Sequence, residues 1–148
     1  MARVSVLFTS SEVYPFAKSG GLADVAHSLP RALSSDCNIE VVMPLYRLID
    51  ARKYNISALG VTFDICMNDI IYPVELYGCE YEGVNYRFVA SPVLCDRDFL
   101  YGPPENGYED NALRFALFDR AVVWMLKNGD YDIVHLNDWQ SGLVPLLL

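Results

Sequence analysis

The 148-residue sequence is short of positive charge. It has 11 Lys and Arg against 19 Asp and Glu, a net charge of −8. No broad cationic surface is available to coat a nucleic acid or an anionic membrane, so any anionic ligand must meet a local cluster. Four cysteines, Cys37, Cys66, Cys79 and Cys95, form no C-x-x-C pair and have no metal-ligand spacing to either histidine, His27 or His135. That pattern excludes a zinc site by spacing and favours reduced thiols in a cytosolic protein over a disulfide framework. Long hydrophobic runs are also missing. The longest, Ala121–Leu126 and Leu143–Leu148, fall far below the ~20 residues of a membrane span, and Val4–Phe8 is too short for a signal-peptide core. What is present is apolar bulk: 53 % hydrophobic residues and a mean hydropathy of +0.18 can bury a core, which excludes disorder.

The pattern along the chain predicts an α/β fold. Val4–Thr9 reads as a buried strand and Ser10–Gly21 as a loop. A helix follows from about Leu22 to Leu33, with one apolar stripe and a bend expected at Pro30. Ile39–Met43 is a β-branched run stopped by Pro44, completing a strand–helix–strand unit that implies parallel pairing. Strands near Ala58–Cys66, Ile70–Tyr77 and Val84–Val89, separated by Asn68-Asp69 and by Gly78–Gly83, predict an antiparallel hairpin region inserted between the parallel units. Ser91–Gly107 reads as an extended loop of about 17 residues, long enough to suggest function. A nearly all-apolar helix is expected over Tyr108–Asn128, a strand over Asp132–Leu136, and a further helix capped by Asp138. The chain stops on Leu146-Leu147-Leu148 without a polar cap, which reads as a cut inside a longer protein.

Ligands in open α/β sheets gather beyond the carboxyl ends of the strands. Lys18-Ser19-Gly20-Gly21 sits there at the mouth of a helix, where free amides and the positive end of the dipole suit an anion. Glycines let the backbone approach a phosphate or adopt left-handed dihedrals, and lysine adds a mobile charge. Gly-Gly before a helix is equally the mark of a plain tight turn. Neither G-x-G-x-x-G nor G-x-x-x-x-G-K-[ST] is present, and the second strand ends without a ribose-binding acid, which disfavours a dehydrogenase-type domain. Asp96-Arg97-Asp98 spells D-x-D, a metal-binding pattern elsewhere. Here Arg97 stands between the acids, in a loop after a hairpin, and no metal is assigned.

Ser11-Glu12-Val13-Tyr14-Pro15-Phe16-Ala17-Lys18-Ser19-Gly20-Gly21-Leu22-Ala23-Asp24-Val25 resembles the N-terminal signature of bacterial glycogen synthases and plant starch synthases, including its K-x-G-G-L core. Tyr108–Phe115 looks like the Y-x-D-N-x-x-R-F helix start of that family, and His135–Gln140 like its H-x-x-D-W segment. Where relatives commonly place Gly-His after the first helix, this chain has Ser35-Asp36-Cys37-Asn38.

The resemblance implies a GT-B glycosyltransferase: two Rossmann-like domains that move glucose from ADP-glucose to the non-reducing end of an α-1,4-glucan, with retention and without metal or other cofactor. Residues 1–148 would be the incomplete N-terminal, acceptor-side domain, inactive alone, with the nucleotide-binding C-terminal domain of the same chain as its partner. Lys18, Gly20 and Gly21 would face the donor diphosphate, Lys18 as an electrostatic catalyst. Asp138, Trp139, Tyr108 and Asn111 would line the acceptor side; Asp24 would support the Lys18–Gly21 loop or only compensate the helix dipole, and His135 would back the site, through a bond to a nearby carbonyl or by touching substrate. The location implied is the cytoplasm, or the plastid in a plant. Plainer readings stand beside these: Asp138 as a helix cap, Trp139 as core, His27 as a packed or surface histidine, and Arg114 as an orienter of Asp119 or Asp110. Two other functions remain open, a non-enzymatic sugar- or phosphate-binding module and a GT-B transferase with another hexose donor.

Overall fold

A computed structural model describes residues 2–148. Its centre is a single six-stranded sheet in the order β3-β4-β5-β2-β1-β6, formed by β1 (Ser5–Thr9), β2 (Asn38–Pro44), β3 (Ser57–Met67), β4 (Ile70–Tyr81), β5 (Val84–Ala90) and β6 (Ile133–Leu136). β5, β2, β1 and β6 run parallel, while β3, β4 and β5 form an antiparallel meander. The expected antiparallel hairpin region is present between parallel units, and it joins the same sheet. β5 belongs to both halves and carries the parallel sheet into the antiparallel one.

Strand alternation splits the apolar residues between two faces. Val6, Phe8, Val41, Met43, Tyr86 and Phe88 pack with Ala26, Leu29 and Leu33 of helix α1 (Gly21–Leu33). Leu7, Val42, Val89, Val74 and Leu76 pack instead with Phe115, Leu117, Phe118 and Val122 of helix α3 (Asn111–Asn128). Short helices α2 (Pro92–Cys95) and α4 (Val144–Leu147) complete the α3 side. The expected helices on both faces are present, and α3 is covered on most sides, as its composition requires.

Local differences have local causes. Pro30 is buried inside α1 without ending it, and the helix runs to Leu33, whose carbonyl accepts from the Asp36 and Cys37 amides. The turn between β4 and β5 is only Glu82-Gly83, not Gly78–Gly83. Both turn residues have positive φ, as do Asn68 and Asp69 between β3 and β4, the signature of tight two-residue hairpins. The Ser91–Gly107 segment holds one helical turn, α2, before it becomes irregular. The long helix starts at Asn111 rather than Tyr108, and the Tyr108 amide donates to the Tyr101 carbonyl at 2.8 Å.

Candidate functional site

β1 and β6 end side by side, with Thr9 paired to Leu136, so the loops that follow them leave from the same edge of the sheet. Asn137 Nδ2 donates to the Thr9 carbonyl at 2.9 Å and ties the two exits together. The Ser10–Gly21 loop is held by its own middle. Phe16 is buried and meets Tyr54, Tyr86 and Phe88 edge-on at 4.9–5.2 Å between ring centroids. Such aromatic packing fixes the loop so that Lys18 emerges just before α1.

Lys18 is 46 % exposed at its side chain, and its ammonium contacts both oxygens of Asp24 at 2.6–2.7 Å. Asp24 is thus brought beside the loop and holds the lysine. Gly20 precedes α1 with extended dihedrals, φ −153° and ψ −161°, and no side chain caps the helix. The left-handed conformation considered for these glycines is absent. A Cβ at Gly21 would meet nothing within 4 Å, and one at Gly20 would meet only Glu12 Oε1 at 3.8 Å. The glycines leave open space in front of the first-turn amides rather than relieving strain, and that geometry suits close approach by an anion.

The expected acceptor-side residues gather around Tyr101. Trp139 is 55 % exposed; its ring stands edge-on to Phe115 at 5.1 Å and lies 6.3 Å from the ring of Tyr101. It is a surface aromatic, not core. Asp138 caps only a single 3₁₀ turn, Trp139–Ser141, through its side chain to the Trp139 amide at 2.7 Å, and not the longer helix expected. Its own φ of +62° with ψ −176° is a region that side-chain-bearing residues avoid. Strain of this kind, about 1–3 kcal/mol, persists where surrounding structure imposes it and clusters at functional sites. Asn111 Nδ2 donates to the Tyr101 carbonyl at 2.8 Å. The Tyr108 hydroxyl accepts from the Phe99 amide at 3.1 Å, and Arg114 lies over its ring at 5.0 Å. His135, half-buried, stacks on Phe8 at 4.5 Å.

Three residues given no site role above organise this mouth. Glu12 is only 2 % exposed. Its carboxylate accepts from the Ser19 amide (3.0 Å), the Gly20 amide (3.1 Å), the Ser19 hydroxyl and the Tyr101 hydroxyl (3.2 Å). Tyr101 also lies 2.6 Å from Ser11 Oγ. Burial holds its phenol well above the ordinary pKa, so it stays a donor. Arg114, 0 % exposed, donates to the carbonyls of Leu94 and Leu100 and to Asn111 Oδ1 at 2.7–2.9 Å. It does not orient Asp119 or Asp110: Asp110 pairs with Arg97, and Asp119 accepts from the Leu143 amide. Gly102 makes the loop around Tyr101 possible. At φ +141°, a Cβ there would fall 2.3 Å from the Asn106 carbonyl oxygen. A strand-end glutamate inside a quoted signature was the only signal for Glu12. Its partner Tyr101 lies 89 positions away, beyond any local pattern.

Asp96 and Asp98 of the D-x-D tripeptide both pair with Arg47. A cleft of about 730 Å³ on the hairpin side is lined by Arg47, Phe63, Asp64, Val74, Glu75 and Asp96 among others. Its charged lining residues are acidic except for Arg47, which Asp96 and Asp98 already hold, so the Lys18–Trp139 mouth is the better candidate seat for an anionic ligand.

The pattern of the starch synthase catalytic domain matches residues 5–148. The chain belongs to this family. The starch synthase family resemblance extends through named relatives: the glycogen synthase of Aquifex aeolicus is 41 % identical over 146 residues, covering 97 % of this chain and 30 % of that protein. The glycogen synthase of Koribacter versatilis is 43 % identical over 147 residues, again 97 % and 30 %. Among solved structures, the catalytic domain of Starch Synthase IV from Arabidopsis thaliana, bound to ADP and acarbose, superposes with a TM-score of 0.85 at 27 % identity, covering 97 % of this chain and 29 % of that one. The chain therefore spans about 30 % of the length of the curated starch synthase family relatives it matches, and its fold is that of part of a GT-B enzyme. No helix among the described residues is long and apolar enough to cross a membrane.

Proposed function

We propose that this chain is the N-terminal, acceptor-side part of a retaining glucosyltransferase that adds glucose from ADP-glucose to the non-reducing end of an α-1,4-glucan. The observation that carries the reading is the convergence, beyond the ends of β1 and β6, of a lysine beside uncapped helix amides with an exposed tryptophan and a strained aspartate. When the glucosyl C–O bond breaks, negative charge grows on the departing diphosphate oxygen. An ammonium and oriented amides stabilise that charge more than the ground state, which lowers the barrier. Lys18, Gly20 and Gly21 face the diphosphate in this reading, and Asp24 holds the ammonium until the anion takes its place. Trp139 offers a flat apolar surface to a sugar ring, and Asp138 accepts from hydroxyls. Asn111 and Tyr108 shape the same wall through Tyr101, with His135 packed behind it.

The remaining part of the longer protein supplies the nucleotide-binding domain, and ADP-glucose and the glucan are the partners. The reading places the enzyme in the cytoplasm, or in the plastid of a plant. The ADP and acarbose held by the Arabidopsis structure support a nucleotide donor and a glucan-like acceptor. The deciding experiment is glucosyl transfer from ADP-glucose and from UDP-glucose to glycogen by the full-length protein. Transfer from ADP-glucose is expected; incorporation from neither donor overturns the proposal.

A further inference from the structure

The amides of Ser19 and Gly20 are not free for a ligand, because a buried carboxylate already holds them. Placing a negative charge beside an anion seat opposes anion binding, so this carboxylate must contribute something that outweighs repulsion. Glu12 engages four donors, two of them backbone amides of the Lys18–Gly20 segment and one the phenol of Tyr101. Charge-assisted bonds of this type are the stronger class of hydrogen bond. Tyr101 in turn receives Asn111 Nδ2 on its carbonyl, and Asn111 is fixed by the buried Arg114. The carboxylate is thus the joint between two chains of contacts, one leading to the helix mouth and the other to the wall where Trp139 stands.

We propose that Glu12 is a positioning residue that locks the Lys18–Gly20 segment in register with Tyr101, and so sets the anion seat against the sugar-binding wall. By occupying the Ser19 and Gly20 amides it confines the anion to the open amides of the first turn of α1 and to Lys18. The inference rests on the glucosyltransferase reading for its kinetic consequences but not for its structural ones. Replacing one carboxylate oxygen with an amide nitrogen sets donor against donor. In Glu12→Gln either the Gly20 amide, or the group formed by Ser19 and Tyr101, loses its acceptor.

The test uses the full-length protein. Amide hydrogen exchange in Glu12→Gln should speed up in the segments around Ser19–Gly20 and around Tyr101, and stay unchanged in β1 and the middle of α3. The KM for ADP-glucose should rise roughly tenfold, as loss of one charge-assisted bond implies, with a smaller fall in kcat. Unchanged exchange in both segments, or a lowered melting temperature with KM intact, would overturn the proposal. Should wild type transfer from neither sugar nucleotide, the glucosyltransferase reading fails while the exchange data still decide the role of Glu12. If Glu12→Gln does not fold, Tyr101→Phe removes one donor and leaves the carboxylate its other three. It should loosen Ser19–Gly20 and raise the donor KM, and no effect on either would equally overturn the inference.

Discussion

Lys18 is the residue on which the proposed chemistry depends most. Its ammonium is half-exposed and already paired with Asp24, so the anion must win it from a carboxylate in a high-dielectric setting, where such pairs are weak. A charge-assisted contact contributes about 1.5–3 kcal/mol, so Lys18→Ala in the full-length protein should lower kcat/KM by roughly 10–150-fold. Unchanged turnover would remove Lys18 from the mechanism. Asp119 makes a different, purely energetic prediction. It is 1 % exposed on α3, its Oδ1 has no partner, and burial raises its pKa from 3.8 to about 7. A carboxyl whose folded pKa lies above its unfolded value contributes stability that is fully present below about pH 4 and is lost as pH rises through 7. Asp119→Asn keeps an acceptor for the Leu143 amide and removes the charge. It should therefore be more stable than wild type at pH 8, by an amount on the order of 2–4 kcal/mol, and the gap should shrink to less than half of that at pH 5. Thermal melts at the two pH values decide it; a wild type more stable than Asn at pH 8 would contradict the assignment.

The β-hairpins show what a local pattern can and cannot encode. Alternating apolar residues placed β3, β4 and β5 to within a few positions, because each side chain needs a face and the period is two. The second turn was harder to read. Gly78 looked like a turn residue, yet it lies inside β4 opposite Arg87, where a Cβ would fall 3.0–3.2 Å from its neighbours, so it is a close-approach glycine rather than a bend. Likewise α3 begins at Asn111, three residues later than its apolar pattern suggests, with Tyr108 tied to the loop through its amide on the Tyr101 carbonyl. The candidate residues Lys18, Gly20, Asp138 and Trp139 are legible because they stand in short contiguous motifs, K-x-G-G-L before α1 and H-x-x-D-W after β6. Glu12, Tyr101 and Arg114 are not, since their roles exist only through contacts made after folding. The Asn68-Asp69 turn gives a test at this scale. Asp69 sits at φ +62°, where β-branched residues are strained, so Asp69→Val should cost about 1–2 kcal/mol while Asp69→Gly is neutral or stabilising. Chemical denaturation of the two variants measures the difference, and equal stabilities would argue against a positive-φ turn.

At the scale of the whole molecule, the sheet is well covered at its centre and poorly covered at one side. β6 has only β1 as a neighbour, and Ile133 on it is exposed, as are Leu143, Leu146 and Leu148 on and beside α4, with Leu146 at 81 %. An edge strand with free amides and carbonyls is a template for pairing with another chain, and the exposed leucines on and beside α4 are a separate apolar surface, set near the end of β3 where Leu143 and Leu147 line a cleft with Cys66 and Met67. The opposite edge, β3, is partly protected: Asp64 and the polar Thr62 stand on it, and a register shift between Ala58 and Val61 interrupts its pairing with β4. Association of the 148-residue chain should therefore run through the exposed leucines on and beside α4, with the β6 edge as a second surface. Light scattering of this chain should show mass rising with concentration, and Leu146→Glu should shift the distribution toward monomer by adding charge to the apolar group without touching either core. A protein of the relatives' length, of which this chain spans about 30 %, should show less Leu146 dependence if its remaining part covers this surface. A 148-residue chain that stays monomeric over a wide concentration range, or one whose association is indifferent to Leu146→Glu, would place the sticky surface elsewhere, with the apolar cleft between the hairpin and α2 as the next surface to substitute.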